Sequence, residues 1–220
     1  TENNLSETAF LLKLADDHYQ IRWFSPVTEI DFCGHATLAA AFVLFGQTDS
    51  TELRFSTLAV GDLRVSKQKE DWIQMDFPKR PASVVAAPEA LLQGLSITPS
   101  LVLRSAQAYF AIYDNEQQVK QLSTNSAELK KLAPYDVVAT AAGTDYDVVS
   151  RYFWPANGGD EDPVTGSIHA GLVPYWADRL GKSQLMAYQA SARGGVLRCE
   201  LMSDRVLVSG QARLYLQGEI

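Results

Sequence analysis

The pattern arginine, aromatic, phenylalanine, any residue, proline occurs twice in this chain, as Arg22-Trp23-Phe24-Ser25-Pro26 and as Arg151-Tyr152-Phe153-Trp154-Pro155. Each copy runs on through an acidic stretch to a glycine that opens a helix-like segment, Gly34 in the first and Gly166 in the second. The proline-to-glycine spacing is eight residues in one copy and eleven in the other. Such an echo is either chance over a few residues or a duplication, and a duplication gives two similar domains facing each other. A chain of 220 residues, 46% apolar, has the core for one large domain or two of about 100 residues each.

The local patterns predict a mixed architecture. Residues 8–15 and 19–25 read as strands split by Asp16-Asp17, and the Ala/Leu-rich stretch 36–45 reads as a buried helix stopped at Gly46. Three alternating runs within 51–77 predict an antiparallel meander, and PKRPASVVAAP predicts a linker. Further on, helices are expected over 88–95, 126–132 (capped by Ser126) and 167–180, the last stopped at Gly181 and kinked or delayed by Pro174. Strands are expected over 101–113, 136–142 and 146–154, with three more within 185–217. Many strands with few helices, not strictly alternating, predict an α+β fold.

Each copy of the repeat sets a glycine-led turn at a helix N-terminus: Cys33-Gly34-His35-Ala36-Thr37 and Thr165-Gly166-Ser167. The free N–H groups and positive dipole end of such turns suit a carboxylate or phosphate, and glycine lets the backbone approach it closely. Acid–base candidates lie beside them: Glu7 in LSET, His35 in CGHAT and Asp162 in DEDPVTGS. Carboxylates on opposite walls of a closed cleft can exchange a proton with a bound substrate. The plainer readings are a solvent-facing Glu7, a helix-capping His35 and an Asp162 in a solvated acidic loop.

Other chemistries find no support. The net charge of −7 and the lack of a basic run disfavour nucleic acid and anionic membranes as partners. No apolar run approaches the ~20 residues of a membrane span, no signal peptide is seen, and two cysteines, Cys33 and Cys199, fit a reduced cytoplasmic setting. The three histidines, His18, His35 and His169, lack paired metal spacing, so no metal is expected. Dinucleotide, phosphate-loop and nucleophile-elbow motifs are missing.

The blocks LSETAFLL, RWFSPVTEIDFCGHATLAAAFVL, DEDPVTGSIHAGLVPYW, SARGGVLRCEL and VSGQARLYLQGEI resemble the phenazine-biosynthesis F-like (PhzF-like) isomerase family. The resemblance implies the fold shared with diaminopimelate epimerase: two similar α+β domains, each a curved, mostly antiparallel sheet around a central helix, with the site in the cleft. On this chain it implies an N-terminal domain over residues 1–79, completed by a C-terminal strand over 206–220, and a C-terminal domain over 80–205. It implies cofactor-free proton transfer on a small carboxylate substrate, with Glu7 as the shuttle, His35 and Asp162 assisting, and Gly34, Thr165, Gly166 and Ser167 binding substrate. Family members are often dimers, so a homodimer is in view. Family chains also begin further upstream, with a strand, a GNP-containing turn and a helix. The sequence is therefore expected to be an incomplete record or a shortened protein with an exposed sheet edge. Two alternatives stay open: a two-thiol racemase using Cys33, and a carboxylate-binding protein without chemistry.

Overall fold

The computed structural model describes residues 7–26 and 28–218. Leu5 and Ser6 of the LSET motif, Val27 of the following block and the last two residues of the expected 206–220 strand lie outside them. The chain divides into two compact units, one of Thr1–Asp76 with Ser209–Ile220 and one of Phe77–Val208. No helix among the described residues is long and apolar enough to cross a membrane.

The first unit comprises β1 (Thr8–Ala15), β2 (His18–Phe24), β3 (Glu29–Ile30), α1 (Gly34–Phe45), β4 (Glu52–Ser56), β5 (Asp62–Lys67) and β6 (Ile73–Pro78). Its sheet runs β1-β2-β4-β5-β6, parallel only at β2/β4, with β3 paired to the end of β2. The period-2 alternation buries Ile21, Trp23, Leu53, Phe55, Leu63, Val65, Ile73 and Met75, and the largely buried helix α1 meets the sheet at β1 and β5.

The second unit comprises β7 (Ser83–Val84), α2 (Glu89–Gly94), β8 (Leu101–Arg104), β9 (Ala108–Ile112), α3 (Glu116–Gln121), α4 (Ser126–Leu129), β10 (Asp136–Ala142), β11 (Val148–Trp154), β12 (Gly159–Asp162), α5 (His169–Leu180), β13 (Gln184–Gln189), β14 (Gly195–Leu201) and β15 (Arg205–Gly210). Its sheet runs β15-β14-β13-β11-β10-β9-β8-β7, with β12 on β11 and parallel pairs at β9/β10 and β11/β13. Strands β9 and β10 are buried on both faces. Tyr109, Ala111, Val137 and Ala139 join the core cluster that includes Leu91, Val119 and Leu129 of the three short helices. On the alternate face, the Trp176 indole N–H of α5 donates to Thr140 Oγ1 at 3.0 Å.

The two units repeat one connectivity. β1, β2, β3, α1, β4 and β5 match β10, β11, β12, α5, β13 and β14 in order and in the sense of every pairing. The repeated motif has a physical role in both. Arg22 on β2 grips Glu29 on β3 through two hydrogen bonds of 2.8 and 2.7 Å and lies 5.1 Å over the Phe24 ring. Arg151 on β11 grips Glu161 on β12 at 2.8 and 2.9 Å and lies 5.0 Å over the Phe153 ring. From each clamped glutamate to the following glycine the distance is five residues in both copies, so the three extra residues of the second copy fall between the arginine and the glutamate of its clamp.

Several local expectations shift. The run 101–113 is two strands, because the Ser105 hydroxyl accepts from the Gln107 and Ala108 amides and turns the chain. The cap of α4 is Asn125, whose side chain accepts from the Ala127 amide, one residue before the expected Ser126. The acidic run at 160–162 belongs to strand β12, pinned by Arg151. The linker PKRPASVVAAP contains β7, and the last strand ends at Gly210. Helix α5 begins at His169, after a lead-in turn from Gly166. Pro174 lies inside it without breaking it, because the carbonyl it would leave unpaired, that of Ala170, accepts from the Arg80 amide at 2.9 Å. Gly171 permits that approach, since a Cβ there would stand 2.9 Å from the Arg80 oxygen. Gly181 ends α5 with a φ of 64°, as its position predicted.

The two clamps differ in exposure, and this sets their worth. The Arg22 and Glu29 side chains are 46% and 36% exposed, against 15% and 23% for Arg151 and Glu161. Arg151 also donates to the carbonyls of Val119 and Leu122. Arg151→Met should cost about 2–4 kcal/mol and Arg22→Met clearly less, measured by urea unfolding. Equal losses would contradict the assignment of the second clamp as the structural one.

Candidate functional site

The first unit brings Glu7, Cys33 and His35 together. Cys33 precedes α1 in extended conformation, and Gly34 is the first helical residue, so this helix does start where the glycine predicts. Bonding within α1 begins with the Thr37 amide donating to the Cys33 carbonyl at 3.2 Å, reinforced by the Thr37 hydroxyl at 2.6 Å. Glu7, immediately before β1, places Oε2 2.7 Å from His35 Nε2. The carboxylate side chain is 6% exposed and the imidazole 37%, so the pair has a buried acid and an accessible ring.

The Cys33 thiol donates to the same Glu7 oxygen at 3.2 Å. Its sulfur lies 3.8 and 3.7 Å from the two nitrogens of His35, level with the ring carbon between them. Burial pushes the Cys33 thiol up, against the pull of His35 and the Ala36 amide. It is a neutral hydrogen-bond donor to the acid. The residue aligned with Cys33 in the second copy is Thr165, and Cys199 sits buried on β14, its thiol also pushed up by burial.

Among the described residues, Glu7, Cys33 and His35 are also the three groups that could share a metal ion, with ligand atoms all within 4.8 Å of one another. Tetrahedral bonds of about 2.0–2.3 Å would hold donors roughly 3.3–3.8 Å apart. The Glu7–His35 separation of 2.7 Å is that of a shared proton.

The second unit gathers Asp162, Thr165, Gly166 and Ser167. Asp162 ends β12, is 9% exposed, and accepts from the Thr165 hydroxyl. Gln189 at the end of β13, fully buried, holds the loop: its carbonyl accepts from the Thr165 amide at 2.7 Å and its amide donates to the Asp162 carbonyl at 2.6 Å. His169 Nδ1–H donates to the Thr165 carbonyl at 2.9 Å. Bonding within the lead-in turn begins at the His169 amide on Gly166 O, so the amides of Gly166, Ser167 and Ile168 stand at its open N-terminal end. Ser167 is 4% exposed and its Oγ accepts from Gln107 at 2.9 Å.

Gln189, His169 and Gln107 escaped the sequence reading. Gln189 had a signal: it follows Leu185 and Ala187 on the inward face of β13, where a polar side chain must find internal partners.

Burial pushes His169 down to about 4. Between that value and the ordinary 6.5, the unfolded chain takes up a proton that the folded chain refuses. The stability this gives is fully present above pH 6.5 and is lost as pH falls toward 4, about 3 kcal/mol in all. His169→Gln keeps a donor for Thr165 and removes the titration. Its loss of stability between pH 7.5 and 4.5 should be smaller than the wild type's by about 2–3 kcal/mol. An unchanged loss in chemical denaturation at the two pH values would disprove a buried neutral His169.

Comparison with known proteins places the chain in a family. Residues 1–218 match the model of the phenazine biosynthesis-like protein family. An uncharacterized isomerase of Pseudomonas aeruginosa is 45% identical over 221 residues, covering 100% of this chain and 84% of that protein. The crystal structure of a PhzF-family phenazine biosynthesis protein from Enterococcus faecalis is 40% identical, with a TM-score of 0.90 over 98% of this chain and 82% of the other. At 12% identity, the hydroxyproline epimerase of Agrobacterium vitis shares the fold, with a TM-score of 0.63 over 95% of this chain and 72% of its own. The duplicated α+β architecture and this whole-length likeness agree, and the chain belongs to the phenazine biosynthesis-like PhzC/PhzF family, whose relatives here include proteins named as isomerases.

Proposed function

We propose that this chain is a cofactor-independent isomerase or epimerase that moves a proton on a small carboxylate-bearing substrate by general acid–base catalysis. The observation that carries this reading is the Glu7–His35 contact of 2.7 Å, with the carboxylate buried and the imidazole accessible. A carboxylate withdrawn from water but hydrogen-bonded by an imidazole can accept a proton and hand it on.

In this reading Glu7 takes the proton from a substrate carbon next to an unsaturated or carboxyl carbon. The electron pair of the broken C–H bond moves onto the substrate, and negative charge grows on its oxygens. Glu7, now protonated, returns the proton to another carbon or to the other face. His35 donates to the Glu7 carboxylate and relays protons. Each unit offers a carboxylate its own helix-start amides, at Gly34 in the first and at Gly166 and Ser167 in the second, while the donors of Thr165 are committed to Gln189 and Asp162. A two-thiol mechanism is disfavoured, since Cys33 is a buried, raised-pKa thiol and its aligned counterpart is Thr165.

Proton exchange in D₂O, followed by NMR over pools of small amino- and enol-carboxylates, tests the reading. Wild type should exchange at one carbon of one substrate class, and Glu7→Gln should slow that exchange by about 10²–10⁴-fold with the fold intact. Turnover within tenfold of wild type would remove Glu7 from the role. Saturable carboxylate binding without exchange in any pool would favour a binding protein.

A further inference from the structure

The second unit carries a line of buried polar groups that the proposed proton transfer does not use, and it ends on Ser167. Asp136, the first residue of β10, accepts from the Tyr152 hydroxyl at 2.6 Å on one oxygen and from Asn157 Nδ2 at 2.7 Å on the other. Gln107, in the turn before β9, has Nε2 2.9 Å from Tyr152 Oη and 2.9 Å from Ser167 Oγ. Tyr152 is 3% exposed and Ser167 4%.

The directions of these bonds follow from proton counting. Tyr152 has one hydroxyl proton, and it goes to Asp136, so Tyr152 Oη can only accept from Gln107. Gln107 must therefore present its NH₂ end, whose two protons serve Tyr152 and Ser167. The Ser167 oxygen is thereby an acceptor within the protein, and its own proton is directed to a further acceptor beside the open amides of the turn. We propose that Gln107 is a positioning residue: held by Tyr152 and Asp136, it fixes the polarity of the Ser167 hydroxyl so that Ser167 donates to a carboxylate oxygen of the substrate. The proposal rests on the reading of the Gly166–Ser167 turn as the carboxylate-binding element.

The charge at the far end supports this. Asp136 accepts on both oxygens and its side chain donates to none of the described groups, which is the pattern of an ionised carboxylate. The groups facing it are Tyr152 of β11, Asn157 of the following turn and Asp162 of β12, and of these Asp162 is the charged one. Burial, with a smaller push from Asp162, raises the Asp136 carboxyl to about 6, so it is ionised at pH 7.5 and protonated well below 6. A protonated Asp136 can donate to Tyr152, which frees Tyr152 to donate to Gln107. Gln107 can then turn its carbonyl inward and take the Ser167 proton away from the substrate.

The test uses benzoate as the carboxylate probe, with binding read from the backbone amide shifts of Gly166 and Ser167 by NMR at pH 7.5. Ser167→Ala and Gln107→Leu should each weaken binding about tenfold, the worth of one hydrogen bond to a charged group. Gln107→Leu in the Ser167→Ala background should change Kd less than about twofold, because the residue acts through that hydroxyl. Gln107→Glu keeps the shape and exchanges a donor for an acceptor, so it should weaken binding at least as much as Gln107→Leu. Lowering the pH to 5.5 should weaken wild-type binding severalfold, and Tyr152→Phe, which cuts the line at the Asp136 end, should abolish that dependence. If Gln107→Leu costs the same with and without the Ser167 hydroxyl, Gln107 is merely structural and the proposal fails. If Ser167→Ala leaves benzoate binding unchanged, or wild type shows no saturable shift at these amides, the carboxylate reading of the turn fails and the proposal goes with it.

Discussion

A bidentate arginine–glutamate clamp, made twice, is the constraint from which both candidate clusters follow. In each unit it ties a two- to four-residue strand to the end of a longer one. A strand that short has too few ladder bonds to hold itself, so the ion pair and the ring beneath the guanidinium fix where it lies. Five residues later comes the glycine of the candidate turn, in both copies. The clamp therefore fixes the approach of the chain to each helix N-terminus. Buried, as at Arg151, it also ties α3 to the sheet through the carbonyls of Val119 and Leu122.

From that shared frame the copies diverge in how they begin their helices. In the first, helical bonding starts at once, closed by Thr37 on Cys33, and the side chains left over at the turn are a thiol and an imidazole facing Glu7. In the second, Thr165 is held by its amide, its carbonyl and its hydroxyl, to Gln189, His169 and Asp162. Those bonds delay the regular helix to His169 and leave a turn of open amides ahead of it. One copy thus concentrates proton-transfer groups and the other concentrates donors. Divergence of this kind is what a duplicated fold allows, because the clamp carries the geometry and the turn residues are free to change.

What the sequence made legible was what depends on short-range pattern. The strand β1 over 8–15, the meander of β4 to β6, and the stop of α5 at Gly181 follow from alternation and turn chemistry alone. The repeat was visible as Arg-x-Phe-x-Pro, but its partner glutamates were not, because Glu29 and Glu161 lie seven and ten residues from their arginines and the acidic runs look like solvated loops. Glu7, His35 and Asp162 were nameable as acids and bases beside glycine turns. Their partners were harder to see: Gln107, Tyr152 and Asp136 meet only through pairing of β9, β10 and β11, at separations that no local pattern encodes. The tolerance of Pro174 was hidden for a related reason, since the amide that pairs the Ala170 carbonyl comes from Arg80, far along the chain.

The buried line from Asp136 to Ser167 opposes the stability of the unit that contains it. Raising a carboxyl from its ordinary 3.8 to about 6 means that its charge at neutral pH costs about 3 kcal/mol. That value already includes the help of the two short hydrogen bonds, so the cost is a standing destabilisation that an asparagine at this position would avoid. An apolar core is the cheaper solution wherever only packing is at stake. Only an ionised acceptor, however, dictates the direction of every proton along the line, since a neutral amide or hydroxyl there could both give and take. The persistence of the charge is thus accounted for at the other end of the line, where a serine hydroxyl with a defined direction differs from one that rotates freely.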